Sequence, residues 1–268
     1  MKRIESKSAQ ELLEEYSKGG RTFDSCDLEG VELAGADLLD INLANSNLCS
    51  SNLFEASLLG ADLTEIRLRG AYLQSANLER ANLTQADLCR VNLKEANLSR
   101  ANLDRAYIVR ACLREACLTG ANLQTASIQL ADLSNANLEG ANLHEANLMK
   151  SNLREANLSH SNLQEVNFEH ADLYGVKAQK ADLRGSILRW SNLVYTNFQE
   201  ADLSEACLHY SDLKNTDFAK ARLYKTCLSG ASFLETRFVE TNLEQAVFYK
   251  ADLKEIFLVD KVPLEMNR

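Results

Sequence analysis

Proline is nearly missing: the one residue of its kind in 268, Pro263, lies close to the C-terminal end. Such scarcity suits a backbone in which almost every N–H is needed as a hydrogen-bond donor. Tryptophan also occurs once, as Trp190 in the stretch SILRWSNLVYTNF, residues 186–198, and aromatic residues make up only 7% of the chain. The seven cysteines include no CxxC pair, so neither a complete disulfide framework nor a zinc knuckle is indicated, and reduced thiols are expected. No apolar run approaches the roughly 18 residues of a membrane span, and MKRIESKSAQELLEEYS lacks the apolar centre of a signal peptide. A cytoplasmic protein without membrane contact is expected. Positive charge is in deficit, with 29 Lys and Arg against 38 Asp and Glu, net −9. That balance argues against a general phosphate-binding surface and against direct nucleic-acid binding.

Catalytic motifs are absent as well. HExxH, GxSxG, the Walker loop and GxGxxG do not occur, and Gly19-Gly20 follows an expected helix, whereas a phosphate cradle would precede one. A noncatalytic protein with no cofactor, no metal and no catalytic residues is expected. His144, His160, His170 and His209 read as solvent-facing variable positions. Asn82, Asn97 and Asn157 each open an N-x-S/T triplet that the sequence generates by repetition.

What is present is a period of five. Counting from Phe23 to Leu258 in fives gives 48 positions, of which 47 are Leu, Ile or Phe and the exception is Ala178. Two residues before each centre, from Cys26 to Ile256, stand only Ala, Ser, Thr, Val, Ile or Cys. The residue just before the centre is mostly Asn or Asp. A helix would scatter this pattern over every face and a straight strand would flip it at each repeat. It fits short extended pieces joined by bends, the centre and the small residue pointing inward, Asn or Asp satisfying turn groups. Fixed-period similarity of this kind implies a solenoid. Thr196-Asn197-Phe198, Thr216-Asp217-Phe218 and Thr236-Arg237-Phe238 recur every 20 residues, as do Cys207 and Cys227, which predicts four pentapeptides per coil.

At ADLSNANLEGANLHEANL, residues 131–148, the motif A(D/N)LXX occurs four times running, and here the chain resembles the pentapeptide-repeat family of cyanobacterial type. The resemblance covers about nine-tenths of the chain. It implies an all-β fold, a right-handed quadrilateral parallel β-helix of about 12 coils and roughly 58 Å at ~4.8 Å per strand. Three segments are expected: an N-terminal cap with a short helix over 1–20, the repeat β-helix over 21–258, and a C-terminal tail over 259–268. Ser8-Ala9-Gln10-Glu11 reads as a capping box opening a helix with Leu12, Leu13 and Tyr16 on one side and Gly19 at its stop. LLEEYSKGGRTF is similar to the cap of cyanobacterial members. IFLVDKVPLEM either covers the last coil or joins two molecules, which leaves monomer and end-to-end dimer both open. Ala178, the small centre, is expected to face Phe168 across the core.

Outward positions sort onto four sides, numbered by the centres Phe23, Leu28, Leu33 and Leu38. Their net charges are −6, +3, −6 and −2. The second side is the basic one, through Arg67, Arg69, Arg90, Arg110, Lys150, Arg189 and Lys250, and it is also the most apolar. A column at 20-residue spacing reads Leu130, Lys150, His170, Trp190, Tyr210. The expected protein-binding residues are Leu130, Met149, His170, Ile187, Arg189, Trp190, Tyr210 and Tyr249, with Val194 and Tyr195 around the corner on the third side. A contiguous strip of Trp, Tyr and Arg is the composition of interaction hot spots; the competing reading is drift at tolerant outward positions. Cys207 and Cys227 read either as a plain thiol stack or as a redox pair.

Two functions follow. The first is a noncatalytic, regulatory protein-protein interaction scaffold that offers one basic, aromatic face of a rigid rod to a protein partner. The second is implied by the resemblance alone. Acidic members related to fluoroquinolone-resistance proteins are similar to duplex DNA in shape and charge and bind DNA gyrase and other type II topoisomerases. Interspersed bases and the lack of loop insertions set this chain apart from those members.

Overall fold

The computed structural model describes residues 5–253. Its repeating unit explains the period of five through the backbone donors. In Ala61–Glu65, Ala61 N–H bonds the carbonyl of the preceding centre, Leu58, at 3.0 Å and closes a turn. Asp62 N–H reaches back to Ile41 O at 2.9 Å, while Leu63 and Glu65 N–H reach forward to Asn82 O and Thr84 O at 2.7 and 2.9 Å. The remaining donor, Thr64 N–H, is taken by the Asp62 carboxylate at 3.1 Å. All five donors of the pentapeptide are thus satisfied, which is why proline is excluded and why Asn or Asp precedes the centre. The fourth residue after the small one has positive φ throughout, 53° at Glu65 and 67° at Gly70, as a turn of the type II class requires.

Bridges run parallel at a fixed offset of twenty, from Thr22↔Asn42 to Cys227↔Val247. The chain is therefore a parallel β-helix with four pentapeptides between one pairing partner and the next. Like residues stack. Phe198, Phe218 and Phe238 lie 5.3 Å apart in near-parallel planes. Along the first side the amides of Asn102, Asn122, Asn142 and Asn162 each donate to the preceding asparagine at 2.9–3.3 Å. The interior is one continuous core of the centres and their small companions. Interior hydroxyls donate to carbonyls, Ser191 to Leu188 O at 2.7 Å and Thr196 to Leu173 O at 2.8 Å. Phe168 and Ala178 are both buried, half a pairing interval apart.

The N-terminal end is covered by helix α1 (Ala9–Ser17), which carries the expected capping box: Ser8 accepts from Glu11 N–H, and Glu11 accepts from Ser8 N–H. Gly19 and Gly20 N–H close the other end on Tyr16 O and Glu15 O, with Gly19 at φ 95°. Leu12 is fully buried against the first coil, and the Tyr16 hydroxyl donates to Leu39 O at 3.0 Å. Leu13 departs from expectation. It is 37% exposed, because the helix turns it 100° away from Leu12. The sequence also gives no sign of strand β1 (Glu5–Ser6), which pairs in parallel with β2 (Cys26–Asp27) and covers the first open edge. At the far end β3 (Ser232–Phe233) pairs with β4 (Asp252–Leu253). The expectations for IFLVDKVPLEM and for a tail over 259–268 lie outside the described residues.

Candidate protein-binding face

On the second side, whose centres run from Leu28 to Phe248, three positions per repeat point outward: the residue before the centre and the two after it. The last of these is the left-handed turn residue, and pairing at an offset of twenty aligns successive ones into a column. Leu130, Lys150, His170, Trp190 and Tyr210 occupy it with φ between 56° and 60°. Bulky side chains cost about 1 kcal/mol there relative to glycine, and glycine holds the next place in the column, Gly230.

Three of the expected residues form one stack. The Trp190 and Tyr210 ring centroids are 4.3 Å apart with planes at 14°, and His170 lies 6.3 Å below Trp190 at 12°. Tyr210 in turn lies over Gly230, where a Cβ would come within 2.5 Å of its ring. The ring faces are used on one another, so the column offers edges: Trp190 and Tyr210 remain 52% and 53% exposed. Around the corner Tyr195 meets Tyr174 edge-on at 5.5 Å, and Arg154 lies over Tyr174 at 4.2 Å. Ile187 fills the rung between Asn167 and Cys207, half-buried, as are Met149 and Val194. Leu130 stands two places below His170, with Lys150 between them. Tyr249 pairs only with Lys250, which lies 5.0 Å from its ring, and no ring contact joins it to the stack among the described residues.

The charges of this side differ from the others in partnering. Of its seven bases only Arg69 has an ion pair among the described residues, to Asp87 at 2.9 Å. Elsewhere most bases meet a carboxylate, some beside them in the same pentapeptide and some on a neighbouring coil. On the third side Lys94, Arg114, Arg154 and Lys214 are all paired. On the fourth, Arg80, Lys180, Lys220 and Arg237 are paired out of six bases. Arg67, Arg90, Arg110, Lys150, Arg189 and Lys250 are thus six second-side cations without an ion pair among the described residues.

Beside the stack lies a cluster that reading by repeats passed over. His209, expected to be a bland variable residue, sits between two thiols, with Cys207 Sγ 2.9 Å from Nδ1 and Cys227 Sγ 3.2 Å from Nε2. Arg189 Nε donates to Cys207 Sγ at 3.3 Å, and this bond, then the charge it faces, raises the guanidinium above its ordinary value. The signal was present in the spacing: His209 follows Cys207 by two, the offset of outward neighbours within one pentapeptide, and precedes Cys227 by eighteen, an offset at which side chains of adjacent coils meet. Among the described residues, no group of three His, Cys, Asp or Glu side chains could hold a metal ion, and no helix is long and apolar enough to cross a membrane.

Comparison with known proteins places this architecture. The family model described as pentapeptide repeats matches eight times, from residue 26 to residue 259. Among solved structures, HetL, a pentapeptide repeat protein involved in heterocyst differentiation regulation from the cyanobacterium Nostoc, is 31% identical over 96% of this chain and 99% of its own, with a TM-score of 0.47. A pentapeptide repeat protein of the Arabidopsis thaliana thylakoid lumen is 27% identical over 44% of this chain and 73% of its own, with a TM-score of 0.29. QnrB1, a plasmid-mediated fluoroquinolone resistance protein, is 14% identical over 83% of this chain and 91% of its own, with a TM-score of 0.34. Comparison with curated protein sequences finds no match. With the repeat model matched over most of its length, the chain belongs to the pentapeptide-repeat family.

Proposed function

We propose that this protein is a noncatalytic interaction scaffold: a right-handed quadrilateral rod of about 12 coils over 21–258, capped by 1–20, that binds a protein through its second side. The observation carrying the reading is the set of six second-side cations without ion pairs, set beside the half-exposed edges of Trp190 and Tyr210. Unpaired cations attract and orient a partner of opposite charge, and aromatic edges in a desolvated centre supply affinity. The partner is a protein with an acidic rim around an apolar patch. A regulatory role of the kind HetL's description carries is proposed for this chain too, in the cytoplasm and away from membranes and nucleic acid. Leu130, Met149, Ile187, Arg189, Val194 and Tyr195 would border the stack, with Tyr249 at the far margin.

The alternative, a mimic of duplex DNA acting on gyrase, is favoured by one feature, the net −6 on each of the opposite first and third sides. Their bases are largely spent in ion pairs, so the acidic field is diluted from within.

Affinity capture from native lysate, with wild type and the double variant Trp190→Ala, Tyr210→Ala as baits, tests the first reading. A protein retained by wild type and lost by the variant is expected, with retention falling as salt rises. Identical captures from both baits would remove the strip as the binding site. A gyrase supercoiling assay run in parallel decides the alternative, and no inhibition at micromolar protein is expected.

A further inference from the structure

Cys207 and Cys227 are the two cysteines of the seven that stand twenty residues apart, and they face each other as a parallel bridge pair. Strand spacing puts their Cα atoms about 4.8 Å apart, within the range a disulfide spans. Both thiols are free and half-buried. Each occupies the position before a centre that Asn or Asp usually holds, so neither can cap its turn through a side-chain carbonyl as Asp62 does. Their polar partners are different ones. A neutral imidazole has one acceptor nitrogen and one N–H, so His209, touching both sulfurs, can accept the proton of one thiol while donating to the other. Arg189 adds a fixed cation on the far side of Cys207. A base and a cation around an accessible sulfur are the surroundings that make a thiol nucleophilic. The surroundings of other cysteines differ: Cys117 contacts the hydroxyls of Ser99 and Thr119, Cys89 lies beside Asp87 and Arg69, whose charges oppose each other there, and Cys26 is buried.

We propose that Cys207 is a peroxide-reactive thiol that closes a disulfide with Cys227, a covalent modification site independent of the protein-binding reading. In the first step His209 takes the Cys207 proton and the sulfur attacks one peroxide oxygen. The S–O bond forms, the O–O bond breaks, and the leaving oxygen takes the proton from His209, giving a sulfenic acid and water, or an alcohol from an organic peroxide. In the second step the imidazole accepts the Cys227 proton and that sulfur attacks Cys207 Sγ. The S–S bond forms, the S–O bond breaks, and hydroxide leaves with the proton as water. Two thiols lose two electrons and one peroxide gains them. Closure requires His209 to swing outward from between the sulfurs, next to Tyr210, which it approaches at 6.2 Å.

The experiment treats the reduced full-length protein with hydrogen peroxide and follows intact mass and a peptide map. The expected result is loss of two hydrogens and a linked Cys207–Cys227 peptide, formed before any other cysteine is modified. The variant Cys227→Ser should stop at the sulfenic acid, trapped by dimedone on Cys207. Arg189→Ala and His209→Ala should slow the reaction by about tenfold or more, with an unchanged far-UV circular dichroism spectrum. A map without the linked peptide, oxidation of Cys112 or Cys117 at the same rate, or unaltered rates in both variants overturns the proposal. Because the first readout is made on the wild-type chain, a misfolded variant does not shield it.

Discussion

Ser186 and Ser191 occupy equivalent inward positions in adjacent pentapeptides, yet their hydroxyls fare differently. Ser191 donates to Leu188 O at 2.7 Å, whereas Ser186 Oγ is buried with no partner. A buried hydroxyl without a bond carries its desolvation cost uncompensated, while a bonded one contributes about 1 kcal/mol. Ser186→Ala should therefore raise unfolding stability by roughly 1 kcal/mol and Ser191→Ala lower it by a similar amount, read from urea denaturation of the two variants. Equal effects of either sign would contradict the assignment. Ala178 gives the opposite kind of test, since it stands half a pairing interval from Phe168 and one coil before Phe198, all buried. Ala178→Leu overfills that volume and should cost about 1–3 kcal/mol; a higher melting temperature would show that the space is there. The sequence made the inward small positions legible through composition alone. It could not say which hydroxyl finds a carbonyl, because that depends on rotamers chosen within the stack.

Among the elements, helix α1 is where local signals and packing combine. The capping box and the Gly19 stop were readable because each uses a residue type whose chemistry is local. The pairing of β1 with β2 was not readable, since two residues carry no periodicity, and Leu13 was misplaced because three neighbouring apolar residues do not specify a helix face. Ser8→Ala removes the hydroxyl that accepts from Glu11 N–H and should cost about 1 kcal/mol of helix stability. Glu11 adds a pH dependence. The bonds from Ser8, backbone first and side chain second, hold its carboxyl below the ordinary value. A depressed folded value means the contribution is full above the unfolded carboxylate pKa and is lost as pH falls through the folded one. Amide exchange over residues 9–17 should accordingly stay protected down to the ordinary glutamate range and rise below it. In Ser8→Ala that acid step should shrink; an unchanged step would assign it to another carboxylate. Leu12→Ala, by contrast, opens a cavity on the first coil and should cost about 2–5 kcal/mol at any pH.

At the scale of the molecule, each coil touches chiefly its two neighbours, and the function proposed depends on what that stacking aligns. The four sides and their net charges could be read by counting in twenties, and the stack of His170, Trp190 and Tyr210 lies where the counting put it. Two things could not be counted: which bases find a carboxylate, beside them in the coil or across coils, and how His209 turns between its thiols. Both depend on side-chain geometry. The alignment itself can be cut without breaking the repeat. Deleting residues 111–115 removes one whole pentapeptide, so every later centre still meets a centre, the core is preserved, and the rod should melt cooperatively with nearly its original β-sheet spectrum. Everything after the deletion is turned by one side, which separates Arg67, Arg69, Arg90 and Arg110 from Arg189, Trp190 and Tyr210. Deleting 111–130 removes a full pairing interval and restores the alignment at the expense of Leu130. If the second side acts as one surface, the shorter deletion loses partner retention, by at least about tenfold in affinity, while the longer keeps most of it. Retention that tracks the length removed, with the twenty-residue deletion weaker than the five, would mean that the sides act separately and that no continuous face is read.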